Sequence, residues 1–430
     1  MSRARKRRWP ILRWLAALLL TVGLGAAESD PRFSERPEDL DQVIAIMDRR
    51  LELMPEVAAW KWHQRQPVLD AAREHAVLVQ ATEAAGALHL DADTARDCLA
   101  AQIRLAREVQ EDRFARWQGE PTSVPPARDL ATVLRPALDE LGRDFLVALY
   151  LAAEGPAGAE AGPIRSRLER LRRHPGIEAG TLDALAVALS RVHLVAAPSW
   201  ETVRRVGVVR IGMTGDYAPF SSEREGRLAG SDVELGLAFA RHWGLRAKFV
   251  RTSWPGLMDD LQRRRFDFAA SGISRTPERA ARADFSVAYH TDGKTPIARR
   301  EDAARFASLA QIDQPGVRVI VNPGGTNERF VRNHVRQATI LVHPDNRTIF
   351  AEIVARRADV MITDGTEVQL QQRRHPELVG TMPHPFTRAE KAVLLPRQSS
   401  LTPVVDAWLR PQIESGWVSA QLQGALAGER

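Results

Sequence analysis

Residues 208–220 read Val-Val-Arg-Ile-Gly-Met-Thr-Gly-Asp-Tyr-Ala-Pro-Phe, a short β-type run, Val208–Ile211, that passes directly into turn residues. Runs of the same kind recur downstream at Ala247–Val250, Phe266–Ala269, Val317–Val321, Thr339–Val342 and Val360–Ile362. Segments with helical spacing lie between them, among them Asp232–Trp243 and Asn327–Val335. Strands alternating with helices predict a parallel or mixed sheet covered by helices on its faces. The α/β pattern begins after Trp200 and continues to the end of the chain.

Upstream of residues 196–205 the texture is different. Pro37–Trp62, Asp70–Leu88, Asp91–Trp117, Asp129–Ala153 and Ile164–Leu194 are rich in Ala, Leu, Arg and Glu. Their apolar residues recur at three- and four-residue spacing, which predicts amphipathic helices. Asp70 and Asp91 stand where N-caps are expected, and Pro55 should kink or split the first helix. Gln118–Pro126 reads as a loop. The chain is therefore expected to be multidomain: an all-α unit over 28–198, then an α/β unit over 199–430.

The first 27 residues are separate from both. They carry Arg3, Arg5, Lys6, Arg7 and Arg8, an apolar run from Trp14 to Ala26, and the small residues Gly25-Ala26-Ala27. That order predicts a secretory signal peptide and a periplasmic protein. The apolar run is shorter than the roughly 20 residues that span a bilayer, so no stable membrane anchor is expected after cleavage. The whole chain is +6, and residues 1–27 hold six Lys and Arg and no acid. The remainder is near neutral, which removes electrostatic support for a nucleic-acid partner. Cys98 is the single cysteine, so no internal disulfide can form. It reads as a small buried residue.

Two stretches of the second half are built to hold anions. In Ser-Gly-Ile-Ser-Arg-Thr-Pro-Glu-Arg (271–279) a strand runs into a turn and a helix start. There the backbone N–H groups, the Ser274 hydroxyl and the Arg279 guanidinium can converge on one carboxylate, whose two oxygens match the guanidinium fork. In Asn-Pro-Gly-Gly-Thr-Asn-Glu-Arg-Phe (322–330), Gly324-Gly325 permits a tight turn. Thr326-Asn327 then opens a helix whose free N–H groups make a second anion site. These motifs, with TGDYAPF (214–220), TSWPGLM (252–258), DGKTPI (292–297), LVHPDN (341–346) and AEKAVLLPR (389–397), carry a resemblance. From about Val206 to Glu429 the chain resembles a type II periplasmic solute-binding protein. More closely, it resembles cyclohexadienyl dehydratase, which acts on prephenate and arogenate.

The resemblance implies a two-lobed fold, with the second lobe over about 299–391. It also implies a substrate site between the lobes. Gly272, Ser274 and Arg279 would clamp one carboxylate, and Gly325 and Thr326 would face another. Trp254, Asn322 and Lys294 would supply wall and polar contacts, and Asp364 would stand where amino-acid-binding relatives hold an ammonium. Glu328 would be the general acid that protonates the departing hydroxyl, its pKa raised by anionic neighbours. Whether arogenate, which carries an ammonium, is used stays open, because those relatives read Thr-Asp-Ala with an acidic residue further on, where this chain has Thr363-Asp364-Gly365 with Glu367.

In the first half, MDRRLELM (47–54), VAAWKW (57–62), PVLDAARE (67–74) and AAQIRLAREVQ (100–110) carry a resemblance to secreted, gamma-class chorismate mutases. That reaction is a one-step rearrangement with no nucleophile and no proton transfer. It needs the substrate folded and charge on the breaking ether oxygen stabilised. The resemblance implies that Arg50, Lys61 and Arg73 meet the carboxylates and the ether oxygen. Gln110 would hydrogen-bond the ether or the ring hydroxyl, and Asp70 would cap a helix and orient Arg73. A further arginine is expected from the fourth helix, Arg143 or alternatively Arg135. Arg50 and Lys61 are eleven residues apart, about three helical turns, so one face can carry both.

Together the halves predict a bifunctional enzyme of phenylalanine biosynthesis, using small-molecule substrates, no cofactor and no metal. His343, His375 and His384 lack metal-ligand spacing. Some mutases of this class are dimers, so a homodimer stays open. The competing readings are a non-catalytic amino-acid receptor with a helical appendage, or a dehydratase with an inactive mutase domain.

Overall fold

The computed structural model describes residues 31–33, 36–153 and 160–428; the leader lies outside them. The helical half contains α1 (Arg36–Glu52), α2 (Met54–His63), α3 (Ala71–Ala87), α4 (Ala92–Gly119), α5 (Arg135–Ala152), α6 (Ala161–Leu168) and α7 (Ala179–Ser190). Pro55 does split the first expected helix. It falls in the first turn of α2, where its missing N–H breaks no helical bond. Asp70 and Asp91 cap α3 and α4, accepting from the backbone N–H of Arg73 at 3.1 Å and of Thr94 at 2.9 Å. The expected helix over Ile164–Leu194 is instead interrupted: α6 tightens into a 3-10 turn at Glu169–Arg173, and Pro175-Gly176 separates it from α7. Val43, Ile44, Phe145, Leu149, Leu182 and Leu185 are fully buried in one apolar core. Cys98 is buried there too, and burial pushes its thiol pKa up, as suits an inert core residue.

The α/β half forms two five-stranded sheets. The first has the order β2 (Arg246–Arg251), β1 (Val208–Met213), β3 (Phe268–Ala269), β10 (Leu394–Pro396) and β4 (Ala283–Phe285). The second runs β7 (Thr339–Val342), β6 (Arg318–Val321), β8 (Val360–Asp364), β5 (Lys294–Arg299) and β9 (Leu378–Gly380). β1 is parallel to β2 and β3, and β6 is parallel to β7 and β8. All six residues of β1 are buried, as in a sheet covered on both faces, and its one charged side chain, Arg210, is paired with Asp267. A ribbon of His290–Asp292 paired with Ala389–Lys391 joins the lobes. The second lobe therefore starts at Lys294, ahead of the expected residue 299, because β5 hydrogen-bonds to β8 and β9. Turns leaving the carboxyl ends of β1, β3, β6 and β8 face one crevice, the position where open α/β sheets bind ligands.

The helical half docks on the first lobe through buried charge. Arg210 and Lys248 are neighbours across β1 and β2. Lys248 Nζ donates to Asp39 Oδ2 at 2.6 Å and to the Leu151 carbonyl at 2.7 Å. Arg210, 1% exposed, is paired with Asp267 at 2.7 Å and lies 4.9 Å from the centre of the Tyr150 ring. Removing one member of such a pair strands the other charge in the interior. Asp267→Ala should therefore cost about 3–5 kcal/mol, read as a lowered denaturant midpoint.

Candidate active sites

The helical half encloses a cavity of about 240 Å³ between α1, α2, α3, α4 and α5. Every residue expected at a mutase site lines it: Arg50, Lys61, Asp70, Arg73, Gln110 and Arg143. Arg50 near the end of α1 and Lys61 in α2 both reach this cavity. Lys61 Nζ is held by the Val68 carbonyl at 2.6 Å, and Arg50 Nη1 by the Leu138 carbonyl at 3.2 Å. Neither has a carboxylate within ion-pair distance among the described residues. Arg73 has only a long contact to Asp139, at 3.4 Å. Burial lowers the Arg50 pKa to about 10, still charged at neutral pH, and burial also lowers that of Lys61.

Several groups in this cavity await a partner. Arg50 Nε, Gln110 Oε1 and Gln102 Nε2 are buried without a hydrogen bond. Gln110 Nε2 donates to the Ala106 carbonyl at 2.9 Å and weakly to Met54 Sδ at 3.5 Å, a contact a better acceptor would displace. Buried polar atoms are nearly always satisfied, so this cluster marks a site shaped for a polar guest. Arg135 also lines the cavity, and its charge depresses the Lys61 pKa. Of the two candidates on α5, Arg135 thus sits among the cations, whereas Arg143 is exposed. Gln102 carried no signal in the sequence beyond being a polar residue in an apolar helical register.

In the α/β half Trp254, Gly272, Ser274, Arg279, Asn322, Gly325, Thr326 and Asp364 line one crevice of about 20 Å³. That is room for about one water, so the lobes must part to admit a substrate. Closure is visible at Gly324, where a Cβ would meet Pro255 of the other lobe at 2.6 Å; only glycine lets these backbones approach so closely. Arg279 is buried, donates to the Ser274 carbonyl at 3.0 Å, and has no carboxylate within ion-pair distance among the described residues. Burial, then the neighbouring Arg329, lower its pKa to about 10. It remains a charged fork available to an anion. Trp254 is a wall of the crevice, its indole N–H donating to Asp216 Oδ1 at 3.1 Å.

Asp364 is not a free ammonium acceptor. Its Oδ1 accepts from Lys294 at 2.7 Å, and its Oδ2 from Lys391 and Tyr217, both at 2.5 Å. Burial opposes its charge, but the two ammonium groups hold its pKa well below the usual carboxylate range. Lys294 reaches Thr326 at 2.9 Å and Asn327 at 2.5 Å as well. Lys391, Tyr217 and Asn327 also line the crevice, brought there from separate motifs by the fold. Lys294, Lys391 and Arg279 face the carboxylates of Asp364 and Asp292, leaving a surplus of one positive charge.

Glu328 is not brought to the crevice. As the third residue of the helix Thr326–His334 it folds back on that helix start, accepting from the Gly324 N–H at 2.8 Å. Its other oxygen is paired with Arg332 at 2.7 Å. The Gly324 hydrogen bond, partly opposed by burial, lowers its pKa, so it is held charged rather than protonated. Helix-end geometry decided this: a Glu in the first turn satisfies orphan N–H groups and the dipole. The acid with the opposite property is Glu367, 2% exposed in the first turn of Gly365–Arg374. Burial, reinforced by the Asp364 and Asp216 carboxylates, pushes its pKa up to about 8, against the pull of Thr363 and Lys294. Thr363 donates to its Oε2, and the crevice residue Asn327 donates to that Thr363 hydroxyl at 2.9 Å. A carboxyl whose burial favours its acid form therefore stands one hydroxyl behind the crevice wall.

Residues 209–377 match the bacterial extracellular solute-binding proteins, family 3, and residues 40–111 match chorismate mutase type II. A cyclohexadienyl dehydratase from Pseudomonas aeruginosa is 47% identical over 248 residues, which is 56% of this chain and 92% of that protein. The L-cystine-binding protein TcyJ of Escherichia coli (strain K12) is 25% identical over 194 residues, 45% of this chain and 72% of that protein. A solved substrate-binding protein of an amino acid transporter from Streptococcus pneumoniae, bound to L-arginine, is similar in fold. Its TM-score is 0.50 at 23% identity, over 53% of this chain and 98% of that one. The chain belongs to the cyclohexadienyl dehydratase family, with a chorismate mutase type II domain ahead of the solute-binding fold.

Proposed function

We propose that the chain is a bifunctional enzyme that rearranges chorismate to prephenate in the helical cavity. The crevice of the α/β half then converts prephenate to phenylpyruvate. Arg50, Lys61, Arg73 and Arg135 provide positive charge around a substrate bearing two carboxylates, and Gln110 Nε2 is aimed to exchange Met54 for the ether oxygen. No proton moves in this step, and the cavity needs only to fold the substrate and stabilise oxygen charge.

In the second step one proton is consumed. The ring C–O bond breaks to release water, and the ring carboxylate leaves as carbon dioxide, its bonding electrons aromatising the ring. Hydroxide is a poor leaving group, so an acid has to supply that proton. Glu367 fills this role through Thr363, whose hydroxyl turns its O–H from Glu367 toward the substrate as it accepts the Glu367 proton; Arg279 and Ser274 hold a carboxylate, and the net positive charge of the crevice suits an anionic substrate. The observation that carries enzyme over receptor is the 47% identity to a cyclohexadienyl dehydratase, against 25% to the L-cystine-binding protein TcyJ, and the buried carboxyl of Glu367 behind the crevice agrees with it. Transport by binding alone needs no such acid, and an Asp364 occupied by two lysines is a poor ammonium site. Export to the periplasm, guided by the leader, and self-association are further expectations; among the described residues no helix is long and apolar enough to cross a membrane.

The test supplies chorismate to the purified chain and follows phenylpyruvate. Formation of phenylpyruvate from both chorismate and prephenate is expected; tight ligand binding without turnover would leave the receptor reading standing. Because Glu367 is raised to about 8, its acid form persists below that pH and is lost above it. Dehydratase kcat/KM should hold through neutrality and fall as pH rises past about 8, while the mutase rate shows no such limb. Glu328→Gln should change prephenate turnover by less than about threefold, since its carboxylate faces Arg332 and its own helix end.

A further inference from the structure

Residues 31–33 precede the helical half in the chain but belong to the first α/β lobe in space. Phe33 forms a parallel β-bridge with Phe249 of the edge strand β2, and the Pro31 carbonyl accepts from the Leu228 N–H at 2.6 Å. Phe33 is 6% exposed and packs in the apolar cluster of Ile211, Met213, Tyr217 and Phe220. The guanidinium of Arg251 lies 4.0 Å from the centre of its ring, itself held by Glu223 through two bonds of 2.8 Å. The helical half is thus threaded between two pieces of one lobe, Phe33 before it and Trp200 after it, rather than simply appended to its front.

The ring of Phe33 presses on the substrate loop. A Cβ built on Gly215 would lie 2.8 Å from Phe33 Cε2, so the ring rests directly on that backbone. The Gly215 carbonyl accepts from the Glu223 N–H at 2.9 Å, and Gly215 continues into Asp216 and Tyr217. Those two residues make three contacts at the crevice. Asp216 accepts from Trp254 at 3.1 Å, and its carbonyl accepts from Asn346 of the opposite lobe at 3.0 Å. Tyr217 donates to Asp364 at 2.5 Å. Asn346 in turn reaches Glu367 at 3.5 Å.

We propose that Phe33 is a positioning residue for prephenate dehydration, bracing the Gly215–Tyr217 loop from behind although it lies upstream of the mutase domain. The inference rests on the dehydratase reading. It predicts that the dehydratase depends on a segment that a cut between the two halves would remove.

The experiment compares the full chain with Phe33→Ala and Phe33→Leu, measuring both activities and the dehydratase pH profile on each. Phe33→Ala should lower dehydratase kcat/KM about tenfold or more, as loss of positioning does, and leave mutase kcat/KM within about twofold. The alkaline limb should also move. Glu367 is faced by Asp364, Asp216, Lys294 and the Thr363 hydroxyl, and Asp216 is the member whose loop Phe33 supports. With Asp216 displaced, one of the charges raising the Glu367 pKa weakens, and the limb shifts to lower pH. Phe33→Leu keeps apolar bulk against Gly215 without burying a hydroxyl and should recover most of the rate lost in Phe33→Ala. Three results would overturn the proposal: unchanged dehydratase rates in Phe33→Ala, equal loss of both activities, or a loss that tracks the folded fraction with the limb unmoved. If the unaltered chain turns over no prephenate, the dehydratase reading fails and the proposal falls with it. Turnover unaffected by Phe33→Ala sinks the brace alone.

Discussion

Glu367→Gln is expected to lower prephenate dehydration by about 10²–10⁴-fold, the range spanned by a positioned general acid, with chorismate consumption unchanged. The substitution is nearly isosteric and removes the titratable proton. Its expected cost comes from chemistry more than packing, because the amide can still accept from Thr363. Substrate affinity should change little, since Arg279, Ser274 and the lysines remain in place. The discriminating readout is accumulation of prephenate when chorismate is supplied. A chain that still delivers phenylpyruvate at more than about a tenth of the normal rate would show that the leaving hydroxyl draws its proton from elsewhere. The same assay on Glu328→Gln separates the two carboxyls on one helix-sheet framework.

Lys61→Ala should have the complementary effect. Oxygen charge in the rearrangement is stabilised by fixed cations inside a site with few counter-ions, where loss of one such group costs about 10²–10³-fold. Lys61 is fixed by the Val68 carbonyl, and among the described residues no carboxylate lies within ion-pair distance of it, Asp70 and Glu74 acting only from farther off, so its charge stays available to the cavity. Prephenate supplied directly should still be dehydrated normally, because the crevice lies in the other half. Stopped production of phenylpyruvate from chorismate, with normal production from prephenate, is the expected pair of results. Unimpaired chorismate loss would remove Lys61 from the mutase site. Rescue by Lys61→Arg should be partial, because a planar guanidinium does not reproduce the point charge of an ammonium.

Much of this was readable before any coordinates. The six predicted strand runs, beginning at Val208 and ending at Ile362, all fall on or overlap observed strands, because β-branched runs bounded by turn residues are local signals. The helices of the first half were also legible, apart from the break at Pro175-Gly176, which longer apolar periodicity on either side concealed. β4, β5, β9 and β10 carry no such local signal, since their pairing is antiparallel and set by distant partners. Arg279 and Ser274 were legible because strand-turn-helix chemistry places them within a few residues of each other. Lys391 was not, since it reaches Asp364 from 27 positions away.

From residue order alone came the two-part architecture, the cation-bearing helices and the paired anion turns, each resting on spacings of a few residues that the backbone enforces. Choosing between Glu328 and Glu367 required the folded chain. Both begin a helix, but one is neutralised by its own helix start and Arg332, while the other is sealed beside Asp364 and Asp216. Protonation depends on dielectric and on charges brought close by tertiary packing, neither of which is written in neighbouring residues. The attachment of Phe33 to a loop nearly two hundred residues downstream has the same origin: sheet edges recruit partners through space.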